Sequence, residues 1–301
     1  MTNNYTLRQL LELDACTRCG ECLRLCDAFT GDPMTAPSLR LQALRRYLKG
    51  ERMPSWLSRL LGGRKPTEAE VAQFASGLFR CTLCARCTAI CPVGIDVMHL
   101  WMATREEMVA RGNYPSGLNL ARDAVLGEHN VVNYPNEERA LWVDYMADPP
   151  EDGYRRSQAE VVYFVGCIAS FSPAVQSIPE AYAQTLTAAG IDFTILGDEE
   201  WCCGFPLIAA GMRESAQAVI DQNIAQIRQI GARAVTFACP SCYKTWREEY
   251  QRHLPDVELI HATQFLERLV AQGRLSLKPV ERKLTYHAPC DQGRNTGEFE
   301  A

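Results

Sequence analysis

Residues 81–91 read CTLCARCTAIC, with Pro92 next, and residues 16–26 read CTRCGECLRLC. Both have the spacing C-x2-C-x2-C-x3-C. The chain therefore repeats a four-cysteine run: Cys16, Cys19, Cys22 and Cys26, then Cys81, Cys84, Cys87 and Cys91. Outward from these runs the order changes. Cys167 stands alone, Cys202-Cys203-Gly204 and Cys239-x2-Cys242 follow, and Cys290 comes last. Fourteen cysteines in 301 residues need a reason. Oxidised pairs suit small secreted scaffolds, and metal thiolates suit reduced compartments. The start MTNNYTLRQLLELD lacks the basic stretch, apolar core and cleavage site of a secretory signal. With 47% apolar and 22% charged residues, a globular balance, metal is the better reading.

The repeated spacing is that of bacterial ferredoxins. Three close thiolates wrap one face of a cubane, and the fourth ligates the other cluster in two-cluster ferredoxins. Cluster I then takes Cys16, Cys19, Cys22 and Cys91, and cluster II takes Cys81, Cys84, Cys87 and Cys26. A pair of zinc sites fits poorly, because zinc usually takes two C-x2-C pairs. The first run ends Cys26-Asp27 where the usual pattern has Cys-Pro. Between the runs, residues 39–65 carry eight Lys/Arg (Arg40, Arg45, Arg46, Lys49, Arg52, Arg59, Arg64, Lys65) against Glu51. Leu39, Leu41, Leu44 and Leu48 recur at helical spacing, and Trp56, Leu57, Leu60 and Leu61 follow Pro54. That stretch is either a solvated face over a core stripe or a docking surface for a partner subunit or anionic headgroups. Val97–Arg111 reads as a helix closed by Gly112.

From residue 160 the pattern alternates strand and helix, which means a parallel sheet with crossovers. Strands are expected at 161–167, 192–197, 234–242, 257–262 and 283–290. Helices are expected at Ile178–Ala189, Met212–Ile230, Tyr243–His253 and Thr263–Gln272. In a parallel sheet all strand C-termini share one edge, and ligands bind there. Cys167, Cys239 and Cys290 sit at strand ends, and Cys202 and Cys203 sit in the loop after one. Five thiols, Cys167, Cys202, Cys203, Cys239 and Cys242, therefore make one constellation. Zinc or a cubane would leave one idle, whereas a cluster with a bridging thiolate uses all five. A Cys202–Cys203 disulfide explains neither Cys167 nor the Cys239/Cys242 pair.

Cys–x34–Cys-Cys-Gly–x34–Cys-x2-Cys resembles the CCG signature of the heterodisulfide reductase catalytic-subunit family, and the two upstream runs resemble its fused form. Relatives include the D-type heterodisulfide reductase subunit and the DsrK-type subunit of sulfate-reducer membrane complexes. The iron–sulfur subunits of anaerobic glycerol-3-phosphate dehydrogenase and glycolate oxidase are others. The resemblance implies a non-cubane [4Fe–4S] cluster on the five cysteines, beside two cubane [4Fe–4S] clusters. It implies an α+β two-domain fold. A helical two-cluster ferredoxin domain spans 1–146, and an α/β parallel-sheet CCG domain spans 158–301, with ADPPEDGYRRSQ (147–158) as linker. The family carries two CCG halves. KLTYHAPCDQGR resembles the opening of the second, which breaks off after Cys290.

The implied function is an iron–sulfur oxidoreductase subunit. It passes electrons through the cubanes to the five-cysteine site, which reduces or forms a heterodisulfide or related sulfur substrate. The alternative is a pure electron-transfer subunit between a flavin dehydrogenase (glycerol-3-phosphate, glycolate or lactate type) and a membrane quinone partner. Implied partners are a flavoprotein, a cytochrome b-type membrane subunit, or a chain supplying the second CCG half. The expected location is cytoplasmic, with membrane association through a partner. A net charge of −5 argues against nucleic acid. No G-x-G-x-x-G or Walker loop appears, so flavin or nicotinamide belongs to partners. Around the CCG site, His261 and His287 are proton donors or strand-end packing. Lys244 and Arg247 are cations near the cluster or an exposed helix face. Trp201 and Phe205 are a water shield or a core plug.

Overall fold

A computed structural model of the chain describes residues 5–29, 31–52 and 65–299. By contact the chain divides into residues 1–118 with 208–213, and residues 119–207 with 214–301.

The first unit is helical, as expected. Its helices are α1 (Leu7–Asp14), α2 (Glu21–Arg24), α3 (Pro37–Arg52), α4 (Glu68–Phe79), α5 (Arg86–Ala89) and α6 (Val97–Ala110). Thr6 and Thr67 close capping boxes with Gln9 and Glu70, satisfying the first free N–H groups of α1 and α4. Three leucines of the expected α3 stripe, Leu41, Leu44 and Leu48, are buried, while Leu39 is exposed. Tyr47 stacks on Phe74 of α4 with ring centroids 6.5 Å apart. Arg40 is not a surface cation. It is 1% exposed, lies over the Trp101 ring at 4.9 Å and donates to the Gly77 carbonyl at 3.3 Å. Arg45 also turns inward, to the Leu13 carbonyl and Asp14. Arg46, Lys49 and Lys65 are not among the buried residues. Arg59, Arg64 and the Trp56–Leu61 apolar group lie outside the described residues.

Gly77 is where α4 meets the backbone of Met34. A Cβ there would overlap the Met34 carbonyl and lie 2.8 Å from its Cβ. Gly77→Ala is expected to cost about 1–3 kcal/mol, since backbone rather than a flexible side chain must move. A lower thermal midpoint measures it.

The second unit opens with α7 (Leu118–Gly127), whose first residue falls in the other unit, and α8 (Leu141–Asp144). Then come β1 (Val161–Phe164), α9 (Cys167–Phe171), α10 (Ser177–Ala188), β2 (Phe193–Ile195), α11 (Phe205–Ala209), whose last two residues fall in the first unit, and α12 (Arg213–Ile230), whose first residue does too. The last elements are β3 (Ala234–Phe237), α13 (Pro240–Thr245), β4 (Glu258–His261) and α14 (Ala262–Ala271). The sheet is parallel throughout, ordered β2-β1-β3-β4. Alternation along β1 sends Tyr163 to one face, where it packs in a cluster with Tyr182, Leu186, Phe193, Ile260 and Phe265. Phe164 meets Phe237 and Trp246 at 5.8 and 5.1 Å, and Trp246 stacks on Tyr250 at 4.1 Å.

Two expectations change here. The sequence places the stretch before residue 147 with the ferredoxin domain, but Trp142, Val143 and Met146 bury in the same cluster as Tyr163. Their apolar side chains complete the core beside β2, and Tyr154 of the expected linker is 6% exposed within it. The fifth strand, 283–290, does not form. Residues 276–289 are irregular, with Leu277, Leu284 and Tyr286 exposed by 72%, 84% and 66%. Alternating side chains make a strand only where a neighbouring backbone accepts the ladder, and β4 pairs only with β3 among the described residues.

Candidate metal centres

The two ferredoxin runs fold alike. In the first, Arg18 and Gly20 have φ of 62° and 82°; in the second, Leu83 and Ala85 both have φ of 56°. These residues flank the second cysteine of each run. A left-handed backbone costs a non-glycine residue about 1–2 kcal/mol. Such strain, repeated in two copies, marks a turn built to present cysteines. The short helices α2 and α5 follow and carry the third cysteine of each run.

The fourth cysteines cross over. Cys16, Cys19, Cys22 and Cys91 line one small cavity, with Leu41, Pro92, Ile95, Val97 and Cys87. Cys26, Cys81, Cys84 and Cys87 line a second small cavity, with Leu83, Met98, Trp101 and Arg40. Burial, then the neighbouring Cys16 and Cys19, pushes the Cys22 thiol up to about 11. Burial, then Cys81 and Cys84, pushes Cys87 up to about 12. Thiolates crowded in apolar surroundings need positive charge, which iron supplies, so the donor set suits a cluster. Among the described residues no three His, Cys, Asp or Glu side chains could hold a single ion. The donors ring a cavity instead of closing on a point. Arg105 spans the second run, donating to the Leu78 and Cys81 carbonyls at 3.2 and 2.5 Å. Asp27 pairs with Arg86 of the other run at 2.5 Å.

In the second unit, β1, β2 and β3 each end in a cysteine loop on the sheet's C-terminal edge. Val165 and Gly166 carry the chain from β1 into α9, which starts at Cys167. After β2, a turn over Gly197–Glu199 leads to Cys202 and Cys203. After β3, Cys239 precedes Pro240, the first residue of α13, which holds Cys242. The five sulfurs form one hydrogen-bonded series: Cys167 to Cys202, Cys202 to Cys203, Cys203 to Cys242, and Cys242 to Cys239. All are free thiols, so Cys202 and Cys203 form no disulfide. Hydrogen bonds from Cys202 and Cys242 hold Cys203 down to about 6. Its contacts with Cys203 and Cys239, then burial, push the Cys242 thiol well up.

The walls of this site are polar networks. Asn223 of α12 accepts from the Trp201 N–H at 3.0 Å and donates to the Trp201 and Cys202 carbonyls at 3.1 and 3.2 Å. The Tyr250 hydroxyl donates to the Cys203 carbonyl at 3.1 Å. The Cys202 N–H donates to the His129 carbonyl at 2.7 Å, and the His129 ring stacks on Trp201 at 3.5 Å. Gly166 has φ 83° and ψ 153°, a region essentially reserved for glycine, and a Cβ there would sit 3.1 Å from the Cys242 sulfur. Gly166→Ala is expected to cost about 1–3 kcal/mol and to lower iron at this site alone. Iron assay and thermal unfolding on one preparation measure both effects.

Other expected participants fall elsewhere. Lys244 is buried and paired with Glu248 at 2.6 Å, and Arg247 binds Glu298 and the Tyr243 hydroxyl. His261 caps α14, and burial pushes it down to about 4, so it is neutral at pH 7. His287 is exposed. Trp201 is half-buried, its ring stacked on that of His129. Cys290 accepts from Arg294 at 2.8 Å, and the next residue, Asp291, accepts from Ser241 at 2.6 Å. Sequence reasoning missed the cation that does face the sulfurs, Arg139, and its partner Glu200. Glu200 adjoins Trp201-Cys202-Cys203, and an acid beside a cysteine doublet was the available signal.

Residues 12–95 match the 4Fe-4S dicluster domain family, and residues 161–246 match the cysteine-rich domain family CCG. The D-type subunit of the dihydromethanophenazine:CoB–CoM heterodisulfide reductase of Methanosarcina barkeri is 33% identical, over 100% of this chain and 74% of that protein. The chain belongs to the family of D-type heterodisulfide reductase subunits. The corresponding protein of Methanosarcina acetivorans is 32% identical over 99% of this chain and 73% of its own length. An EtfAB:quinone oxidoreductase of Syntrophomonas wolfei is 27% identical over 99% of this chain and 45% of itself. No solved structure matches. As a family member the chain is an iron–sulfur oxidoreductase, and the dicluster and CCG matches cover the two sets of cysteine cavities and loops described above. Among the described residues no helix is long and apolar enough to cross a membrane.

Proposed function

We propose that this chain is the disulfide-handling subunit of a redox complex. Cys16, Cys19, Cys22 and Cys91 would hold one cubane [4Fe–4S] cluster, and Cys26, Cys81, Cys84 and Cys87 the other. Cys167, Cys202, Cys203, Cys239 and Cys242 would hold a non-cubane [4Fe–4S] cluster. When bound, these clusters supply one-electron storage and transfer. The chain's residues set the conditions. Gly166 lets the backbone approach Cys242, Tyr250 and Asn223 fix the doublet's carbonyls, and Trp201 stacked on His129 limits water. The observation that carries the reading is the unbroken series of five sulfurs drawn from three strand ends. A four-fold site has no use for the fifth.

Substrates would be a disulfide or a related sulfur compound. Partners would be a flavoprotein, a cytochrome b-type membrane subunit, or a chain carrying a second CCG half, and the complex would work on the cytoplasmic face of a membrane. The test is anaerobic reconstitution followed by two measurements. Iron should reach about twelve atoms per chain, four per cluster. A reduced dye should drive disulfide reduction. The likeness to a quinone oxidoreductase over 99% of this chain favours a second reading, a relay between a flavin dehydrogenase and a quinone-linked partner. Dye-to-quinone transfer in the complex, without disulfide turnover, would select it.

A further inference from the structure

Arg139 lies upstream of the stretch that matches the CCG domain, yet its guanidinium reaches the sulfurs. It is 1% exposed, and each nitrogen has its own partner. Nη1 donates to Glu200 at 2.9 Å, and Nε to the Asn136 side chain at 3.1 Å. Nη2 donates to the His129 carbonyl at 3.4 Å and to the Cys167 sulfur at 3.7 Å. The Phe171 ring covers it at 5.3 Å. Glu200, equally buried, also accepts from the backbone N–H groups of Val165 and Gly166, each at 2.8 Å. Its charge is thus shared among three donors, while Arg139 keeps one arm on sulfur.

We infer that Arg139 is a positioning residue for the redox level of the five-cysteine site, a fixed cation held against the Cys167 sulfur that favours its reduced state, with Glu200 as the opposing charge. A buried cation beside a ligand sulfur stabilises added negative charge, and burial keeps that field unscreened. Glu200 holds the arginine in place, and its own charge acts with the opposite sign. A purely structural pair would tie the loops at 129–136, 165–167 and 198–202 and leave the potential alone. The inference rests on the iron–sulfur reading of this site.

The test is an EPR-monitored redox titration of the full chain, reconstituted anaerobically, with iron content measured on each sample. Arg139→Gln should lower the midpoint of the C-terminal site. The ratio of reduced to oxidised centres at fixed potential should change at least about tenfold, about 59 mV for one electron. Glu200→Gln keeps the hydrogen-bonding shape and should shift the midpoint the other way. Arg139→Lys keeps the charge and should stay near the parent. If Arg139→Gln fails to load because Glu200 is left unpaired, the double change with Glu200→Gln removes that orphan charge. It should still lie below the parent. Opposite shifts in iron-replete samples support the inference. Unmoved midpoints, or shifts of one sign in both single variants, overturn it. Absence of iron at this site in the parent protein sinks the iron–sulfur reading instead.

Discussion

Cys203→Ser is expected to empty the C-terminal site and leave the N-terminal pair loaded. Iron should fall by about a third, four atoms of about twelve. Disulfide turnover should fall at least about 100-fold, the upper range for losing even an outer-shell partner of a metal site. Cys203 lies mid-series, bonded to both Cys202 and Cys242, so its loss cuts the sulfurs into two groups. Serine is close to cysteine in size, and Tyr250 holds the backbone carbonyl rather than the side chain, so the loop should keep its path. What changes is the donor: a hydroxyl does not replace a thiolate held down to about 6. EPR signals of the other two clusters are the internal control, because their expected ligands lie within residues 16–26 and 81–91. Full iron with undiminished turnover would remove the doublet from the chemistry.

How far the sequence carried this reading depends on which forces are local. The two ferredoxin runs were legible because spacing within eleven residues dictates turn and thiol placement together. The repeated left-handed residues at Arg18, Gly20, Leu83 and Ala85 show that dictation in the backbone. Convergence of five remote thiols was legible for a topological reason, since parallel strands put their C-terminal loops on one edge. The fifth strand was not legible, because Leu284 and Tyr286 alternate correctly but meet no neighbouring backbone. Charges misled most. Arg40 read as part of a basic surface, although it sits four residues before Leu44 and seven before Tyr47, on the same helix face. Arg139 and Glu200 were not read from the sequence as site residues. Only tertiary packing brings together residues 61 positions apart and buries both.

The proposed crossed ligation of the N-terminal clusters makes the most discriminating prediction. Cys26→Ala and Cys91→Ala should each remove one cluster, lowering iron by about a third. The combinations decide the pattern. Cys26→Ala with Cys81→Ala should lose no more than either alone, because both thiols line the same cavity. Cys26→Ala with Cys16→Ala should lose about two-thirds, because Cys16 lines the other. Ligation within each run predicts the reverse, so iron assay on two double variants separates the schemes. Stability gives an independent readout. A cluster tying Cys26 to Cys81 closes a loop of 55 residues. On chain-entropy grounds for a covalent tether of that length, it is worth about 4 kcal/mol. A cluster confined to one run closes only about ten residues and constrains the unfolded chain less. Chelating iron from the Cys91→Ala variant, which keeps the Cys26–Cys81 tether, should therefore still cause a large drop in the thermal midpoint of the N-terminal unit. A small drop would mean that each run holds its own cluster.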